Sequence, residues 1–91
     1  MIAVDLAPHG IMVNLVASGW TNADGLAGFS SDVQAHITRG IPVGRPGTPS
    51  DVGAAVAFLA SDLAAYITGS VISVDGGYLL TGSAGQTMLE P

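Results

Sequence analysis

Thr48-Pro49-Ser50-Asp51-Val52-Gly53-Ala54-Ala55-Val56-Ala57-Phe58-Leu59 is the stretch whose reading decides the fold. Threonine followed by proline is a helix entry. Thr48 can accept a bond from an otherwise unpaired backbone N–H, and Pro49 suits the first helical position. Asp51, three residues after Thr48, puts negative charge at the positive end of the helix dipole and makes an acidic variant of a capping box. Val52, Ala55, Val56, Leu59 and Leu63 recur at helical spacing, which predicts one face packed on a sheet. Gly53 costs about 1 kcal/mol against alanine in a helix, and is expected to permit close packing there.

The segments on either side supply that sheet. Upstream, Ile11-Met12-Val13-Asn14-Leu15-Val16-Ala17 is a near-continuous apolar run, as in a parallel strand covered on both faces. Its one polar member, Asn14, is expected to anchor the neighbouring loop through side-chain to backbone bonds, since a buried amide without partners is costly. Downstream, a break over Asp62 to Gly69 precedes a second strand, Ser70-Val71-Ile72-Ser73-Val74. It ends in the turn Asp75-Gly76-Gly77, where glycine permits unusual backbone angles. Strand, helical connection and strand make a βαβ unit, expected to be right-handed. Met1 to Ala7 reads as the end of a preceding helix, stopped by Pro8 and Gly10. Between Ser18 and Gly40 only Ser31 to Thr38 carries a helical pattern, so the spacing predicts a mobile loop with one short helix, long enough to act as a lid. Residues 1–80 form the structured part in this reading, and 81–91 a flexible tail. A parallel pair alone leaves a strand edge and a sheet face uncovered, so neighbours are expected.

Composition agrees. The chain has 91 residues, 48% of them hydrophobic and 10% charged, a balance that suits buried elements of a larger protein. With no cysteine it can form neither a disulfide nor a thiolate metal site, which fits a reducing cytoplasm. His9 and His36 are far apart, in a turn and a polar loop, and no metal-ligand spacing surrounds them. A net charge of −5, with Arg39 and Arg45 the only permanent cations, argues against nucleic acid and anionic membranes as partners. No apolar run approaches the roughly 20 residues that span a bilayer, and Met1-Ile2-Ala3-Val4-Asp5 has no basic start typical of a secretion signal.

Several ordered motifs carry a resemblance. Gly44-Arg45-Pro46-Gly47-Thr48-Pro49-Ser50-Asp51-Val52 is followed by Phe58-Leu59-Ala60-Ser61-Asp62, Tyr66-Ile67-Thr68-Gly69 and Val74-Asp75-Gly76-Gly77. From Asp5 to Tyr78 the chain resembles the carboxy-terminal part of short-chain dehydrogenase/reductases. The resemblance implies an α/β fold: a partial Rossmann-like, doubly wound parallel sheet made of the last βαβ unit and the end of a preceding helix, its strands the sixth and seventh of seven. It also implies NAD or NADP as cofactor, and hydride transfer with a tyrosine acid/base whose pKa a lysine lowers. This chain has no lysine: Ser70 and Gly82 stand four residues after Tyr66 and Tyr78, where that pattern wants one. No catalytic residue is therefore assigned, and the glycine-rich phosphate turn of the family is missing as well. The family's loop after the sixth strand runs beside the nicotinamide and corresponds to Ser18-Gly19-Trp20-Thr21. Ser18, Gly19 and Thr21 are the implied cofactor-binding residues. Ser18 replaces the usual proline, and Ala23 stands where threonine is common. Thr21 or Asn22 supplies the missing hydrogen bond through a register shift, or the loop is an ordinary polar one.

Three further readings stay open on residues alone. Arg45 pairs with Asp51 or Asp75, or meets a ligand. Trp20, Leu26 and Phe29 line an apolar pocket as a lid, or pack the loop down. The whole chain is the carboxy-terminal segment of an NAD(P)-dependent alcohol/carbonyl oxidoreductase, truncated or mis-started, inactive alone and binding no cofactor tightly by itself; otherwise it is a non-catalytic oligomerisation or interaction module. The parent enzyme of the first reading would be 3-oxoacyl reductase-like, or sugar or alcohol dehydrogenase-like. The partner is the missing amino-terminal part of the domain, or a second copy held through the last helix and strand.

Overall fold

The computed structural model describes residues 1–22 and 24–81. A short helix α1 (Ile2–Leu6) runs into a 3₁₀ turn (Ala7–His9), and Gly10 closes it in the left-handed region at φ 75°. Strand β1 (Leu15–Ser18) follows, then helices α2 (Asp24–Ala27), α3 (Ser31–Arg39) and α4 (Pro49–Leu59), a second 3₁₀ turn (Asp62–Ala64) and strand β2 (Val71–Val74). The strands pair in parallel, Leu15 opposite Val71 through Ser18 opposite Val74. Helix α4, lying between them in sequence, packs on both. This is the α/β unit with a parallel strand pair that the apolar runs predict.

Helix α4 begins as its sequence requires. Thr48 Oγ1 accepts the Asp51 N–H at 3.2 Å, and Asp51 Oδ2 accepts the Thr48 N–H at 2.8 Å. The reciprocal bonds close the capping box. The far end departs from expectation. Val52, Ala55 and Leu59 are half-buried, but Val56 is half-exposed and Leu63 is 83% exposed. The helix stops at Leu59, where Ser61 Oγ donates to the Phe58 carbonyl. The following turn is 3₁₀, with three residues per turn in place of 3.6, and the change of phase brings Ala64 inside instead of Leu63. Gly53 has no packing role: a Cβ built there meets nothing within 4 Å.

The first strand also starts later than the apolar run predicts, at Leu15 and not Ile11, and it extends to Ser18. Before Leu15, side chains occupy positions that a ladder would use. The Val13 N–H donates to Thr68 Oγ1 at 3.0 Å, Asn14 Nδ2 donates to the Ile67 carbonyl at 3.0 Å, and Asn14 Oδ1 accepts the Ser70 N–H at 3.0 Å. Asn14 is thus the expected anchor, with both ends of its amide engaged. For the same reason β2 begins at Val71, one residue later than expected. The loop after β1 holds two helices where one was expected; α3, N-capped by Ser30, runs one residue past the expected end. Thr81, expected to start the tail, closes a helical turn at 78–81. The remainder of that tail lies outside the described residues.

Among the described residues only Ala3, Leu26, Ile41 and Ala64 are buried hydrophobics. Leu15 and Val71, at the start of the two strands, are 60% and 62% exposed. Burial of an apolar side chain of this size is worth about 1.5–3 kcal/mol, and here that gain is largely unrealised. No helix among the described residues is long and apolar enough to cross a membrane.

Candidate functional site

Ligands of open α/β sheets bind outside the carboxyl ends of the parallel strands. In this chain that end is formed by Ser18-Gly19-Trp20-Thr21 after β1 and Asp75-Gly76-Gly77 after β2. The two segments touch. The Gly19 N–H donates to the Val74 carbonyl at 3.0 Å, and a Cβ on Gly19 would lie 2.6 Å from Asp75 Cβ and 2.8 Å from Asp75 Cα. Glycine is therefore required by close approach of backbone to backbone. Asp75 turns inward on its own loop, its carboxylate accepting the Gly77 N–H and the Leu79 N–H, each at 3.0 Å.

The two turn glycines have the positive φ expected of them, 62° at Gly76 and 90° at Gly77. They also provide a passage. The segment Ile41-Pro42-Val43 crosses them: the Val43 N–H donates to the Gly76 carbonyl at 3.0 Å, and a Cβ on Gly76 would come 2.8 Å from Ile41 Cγ2.

The loop after β1 is held from its other side by residues just before α4. The Gly47 N–H donates to the Trp20 carbonyl, and the Asn22 N–H donates to the Gly47 carbonyl, both at 2.9 Å. These two bonds make an isolated parallel bridge between Thr21 and Gly47. Nothing in local spacing announces this bridge, because Gly47 is remote in sequence and has no side chain. Its geometry leaves the N–H and C=O of Thr21 itself directed away from Gly47, since successive residues of extended chain face opposite sides. Among the described residues, Thr21 N–H, C=O and Oγ1 make no hydrogen bond.

Of the three implied cofactor residues, the structure therefore brings all to one strand end but differentiates them. Ser18 Oγ donates to the Gly19 carbonyl at 3.1 Å, and the Gly19 N–H is held by Val74. Thr21 has no partner for its N–H, C=O or hydroxyl among the described residues. Such a set matches an amide, which offers both a donor and an acceptor, so the residues present fit a nicotinamide carboxamide. Ala23 lies outside the described residues.

The remaining alternatives resolve simply. Arg45 pairs with Asp51, its guanidinium 2.9 Å from Oδ2, and donates to the Pro46 carbonyl at 3.0 Å. The bond from Arg45, followed by those from Thr48, pulls the Asp51 carboxyl down to about 2, and Asp51 in turn raises the Arg45 guanidinium. An open hollow of about 550 Å³ lies between β2 and the start of α4, lined by Val43, Arg45, Asp51, Ser73, Asp75 and Gly76. Arg45 and Asp51 are engaged with each other there, and the Asp75 carboxylate with its own turn. Trp20 and Phe29 meet edge to face, centroids 5.9 Å apart at 75°, and Leu26 is buried. Their contact folds the loop onto itself, as in the packing reading. His9 and His36 are exposed, and among the described residues no three acidic, histidine or cysteine side chains gather as metal ligands do. Tyr66 stands fully in solvent.

A pH dependence follows from the Asp51 cluster. A carboxyl lowered on folding adds stability above its unfolded pKa near 4, and loses it as pH falls through the folded value of about 2. The Asp51 carboxyl, followed by carbon-detected NMR, is expected to titrate near 2. The Thr21–Gly47 bridge should stay unchanged from pH 5 to 9 and loosen only as the pH falls from about 4 to 2. A midpoint near 4 would contradict the cluster.

Residues 1–79 match the family model described as enoyl-(acyl carrier protein) reductase. Over 76 residues, 84% of this chain, it is 45% identical to cis-4-hydroxycyclohexanecarboxylate dehydrogenase of Sinomonas cyclohexanicum, covering 30% of that protein. It is also 45% identical over 76 residues to the 3-oxoacyl-[acyl-carrier-protein] reductase FabG of Aquifex aeolicus (strain VF5), covering 31% of it. The crystal structure of a protein described as a short-chain alcohol dehydrogenase from Sinorhizobium meliloti 1021 superposes with a TM-score of 0.76 at 41% identity, over 87% of this chain and 32% of that one. The chain thus spans about a third of the length of these relatives.

Proposed function

The chain belongs to the short-chain dehydrogenase/reductase family, and from that premise we propose that it supplies the last βαβ unit of an NAD(P)-dependent oxidoreductase acting on an alcohol or carbonyl. The observation that carries this reading is Thr21. It sits at the carboxyl end of the parallel strands with N–H, C=O and hydroxyl all unengaged among the described residues, where α/β sheets bind their ligands. In the working enzyme Thr21 holds the carboxamide of the nicotinamide and so orients its ring. Gly19 lets the loop lie against the Asp75 turn, and Ser18 fixes its own loop through the Gly19 carbonyl. When bound, the nicotinamide provides the hydride chemistry.

Proton transfer needs other residues. A phenol near pKa 10 is a poor acid/base at neutral pH without a cation beside it, and this chain has no lysine. The tyrosine, the lysine and the glycine-rich phosphate turn come from outside these 91 residues, so turnover is absent from them alone. The natural partner is the rest of the domain, joined at the open edge of β1. Backbone groups of Val16 and Ser18 point there, because those of Leu15 and Gly19 face β2.

The decisive comparison is between the 91-residue chain and the protein at its natural length, each mixed with NADH or NADPH and a panel of ketones and 3-oxoacyl thioesters. Cofactor oxidation is expected only with the latter, and Thr21→Val should raise its cofactor KM about tenfold while kcat changes little. Oxidation by the 91 residues alone would overturn this reading. A second reading, an assembly module, has its own observation: Val56 and Phe58 on α4 and Val71 on β2 are each exposed apolar side chains. It would be favoured if the natural-length protein bound no nucleotide yet formed a discrete dimer or tetramer.

A further inference from the structure

Helix α4 is tied to the loop that carries Thr21 by a continuous set of bonds among the chain's own groups. Asp51 Oδ2 accepts from Arg45, from the Thr48 N–H and from Thr48 Oγ1, at 2.9, 2.8 and 3.1 Å. Thr48 Oγ1 accepts the Asp51 N–H in return. Gly47 is the residue immediately before Thr48, and its N–H and C=O grip Trp20 and Asn22 on either side of Thr21. One carboxylate thus binds the N–H that directly follows the Gly47 carbonyl, and the Gly47 backbone groups bond on both sides of Thr21.

From this arrangement we propose that Asp51, with Arg45 and Thr48, is a positioning residue for the cofactor loop, acting on Thr21 through the Gly47 backbone. This rests on the reading of Thr21 as the nicotinamide contact. A capping box by itself only starts a helix. Here its first member adjoins a bridge to a loop on another element, and the shared carboxylate also holds a guanidinium that fixes the approach of Arg45-Pro46-Gly47. Replacing the carboxylate frees that approach while leaving the β1–β2 ladder, which uses none of these groups, in place.

The test uses the natural-length protein with Asp51→Ala, the conservative Asp51→Glu, and Gly53→Ala as a control on the same helix, where a Cβ meets open space. Backbone amide exchange is read at Asn22 and Gly47 against Leu15 and Gly19, alongside KM for NADH or NADPH and kcat. Asp51→Ala is expected to speed exchange at Asn22 and Gly47 about tenfold and to raise cofactor KM by about the same factor. Exchange at Leu15 and Gly19 and kcat at saturating cofactor stay near wild type, Asp51→Glu recovers much of the loss, and Gly53→Ala is silent. Unchanged exchange at Asn22 and Gly47 overturns the proposal, as does equal acceleration at all four amides, which marks general loosening. Local acceleration with an unchanged cofactor KM overturns it too. If the wild-type protein binds neither nucleotide, the functional reading itself has failed, and the exchange data still report whether Asp51 holds the loop.

Discussion

Replacing Gly19 with alanine is expected to destabilise the protein by about 2 to 3 kcal/mol, the upper part of the range for forcing extra atoms into a filled space. The new methyl would sit 2.6 Å from Asp75 Cβ and 2.8 Å from Asp75 Cα. Backbone and Cβ atoms cannot rotate out of the way as a side-chain tip can, so one of the two loops must move. Either movement stretches the bond from the Gly19 N–H to the Val74 carbonyl, now 3.0 Å, at the last step of the ladder. The same change at Gly47 is the control: its Cβ would meet the Trp20 carbonyl at 3.6 Å and Asp51 Oδ2 at 3.7 Å, ordinary contacts that need no shift. Denaturant unfolding of the natural-length variants checks this. If Gly19→Ala proved as mild as Gly47→Ala, the two loops would not be in the described contact. Displacing Gly19 carries Thr21 with it, so under the function proposed above the variant should also weaken nucleotide binding.

What the sequence disclosed follows the range of the interactions involved. Helix α4 was legible because its start depends on Thr48, Pro49 and Asp51, all within one turn. The turn glycines were legible for a similar reason, as both adopt positive φ within the turn itself. Leu63 was misplaced because helical periodicity was carried past Leu59, and the switch to a 3₁₀ turn resets the count. The beginning of β1 was misplaced because an apolar run cannot reveal that Asn14 and Thr68 side chains take ladder positions. At the candidate site, the residues implied by the resemblance do lie together at one strand end, but their different surroundings were not legible. Ser18, Gly19 and Thr21 were marked together, yet only the distant partners Val74, Asp75 and Gly47 separate a packing glycine from a threonine whose polar groups have no partner among the described residues. Gly47 was invisible as a neighbour of this loop, since its contribution is wholly backbone.

Asn14 allows the sharpest test of how the two strands are brought into register. Its amide reaches across to the chain entering β2, donating to the Ile67 carbonyl and accepting the Ser70 N–H, both at 3.0 Å. The very next residue begins the regular ladder, with the Leu15 N–H donating to the Ser70 carbonyl at 2.9 Å. Asn14→Ala leaves a carbonyl and an N–H without partners at a half-buried position, and is expected to cost about 2 to 3 kcal/mol. Asn14→Asp separates the two bonds. The new carboxylate can still accept from Ser70 but faces the Ile67 carbonyl with like partial charge, so its folded pKa should lie above the ordinary value near 4. A group raised on folding contributes most when protonated, and a protonated carboxyl can donate to Ile67. The aspartate variant should therefore regain stability relative to the alanine variant as pH falls from about 7 toward 4. Urea unfolding of both variants across that interval measures the difference directly. A parallel loss for the two at every pH would show that the Ile67 bond is not made, and an alanine variant within about 0.5 kcal/mol of wild type would remove Asn14 from its anchoring role.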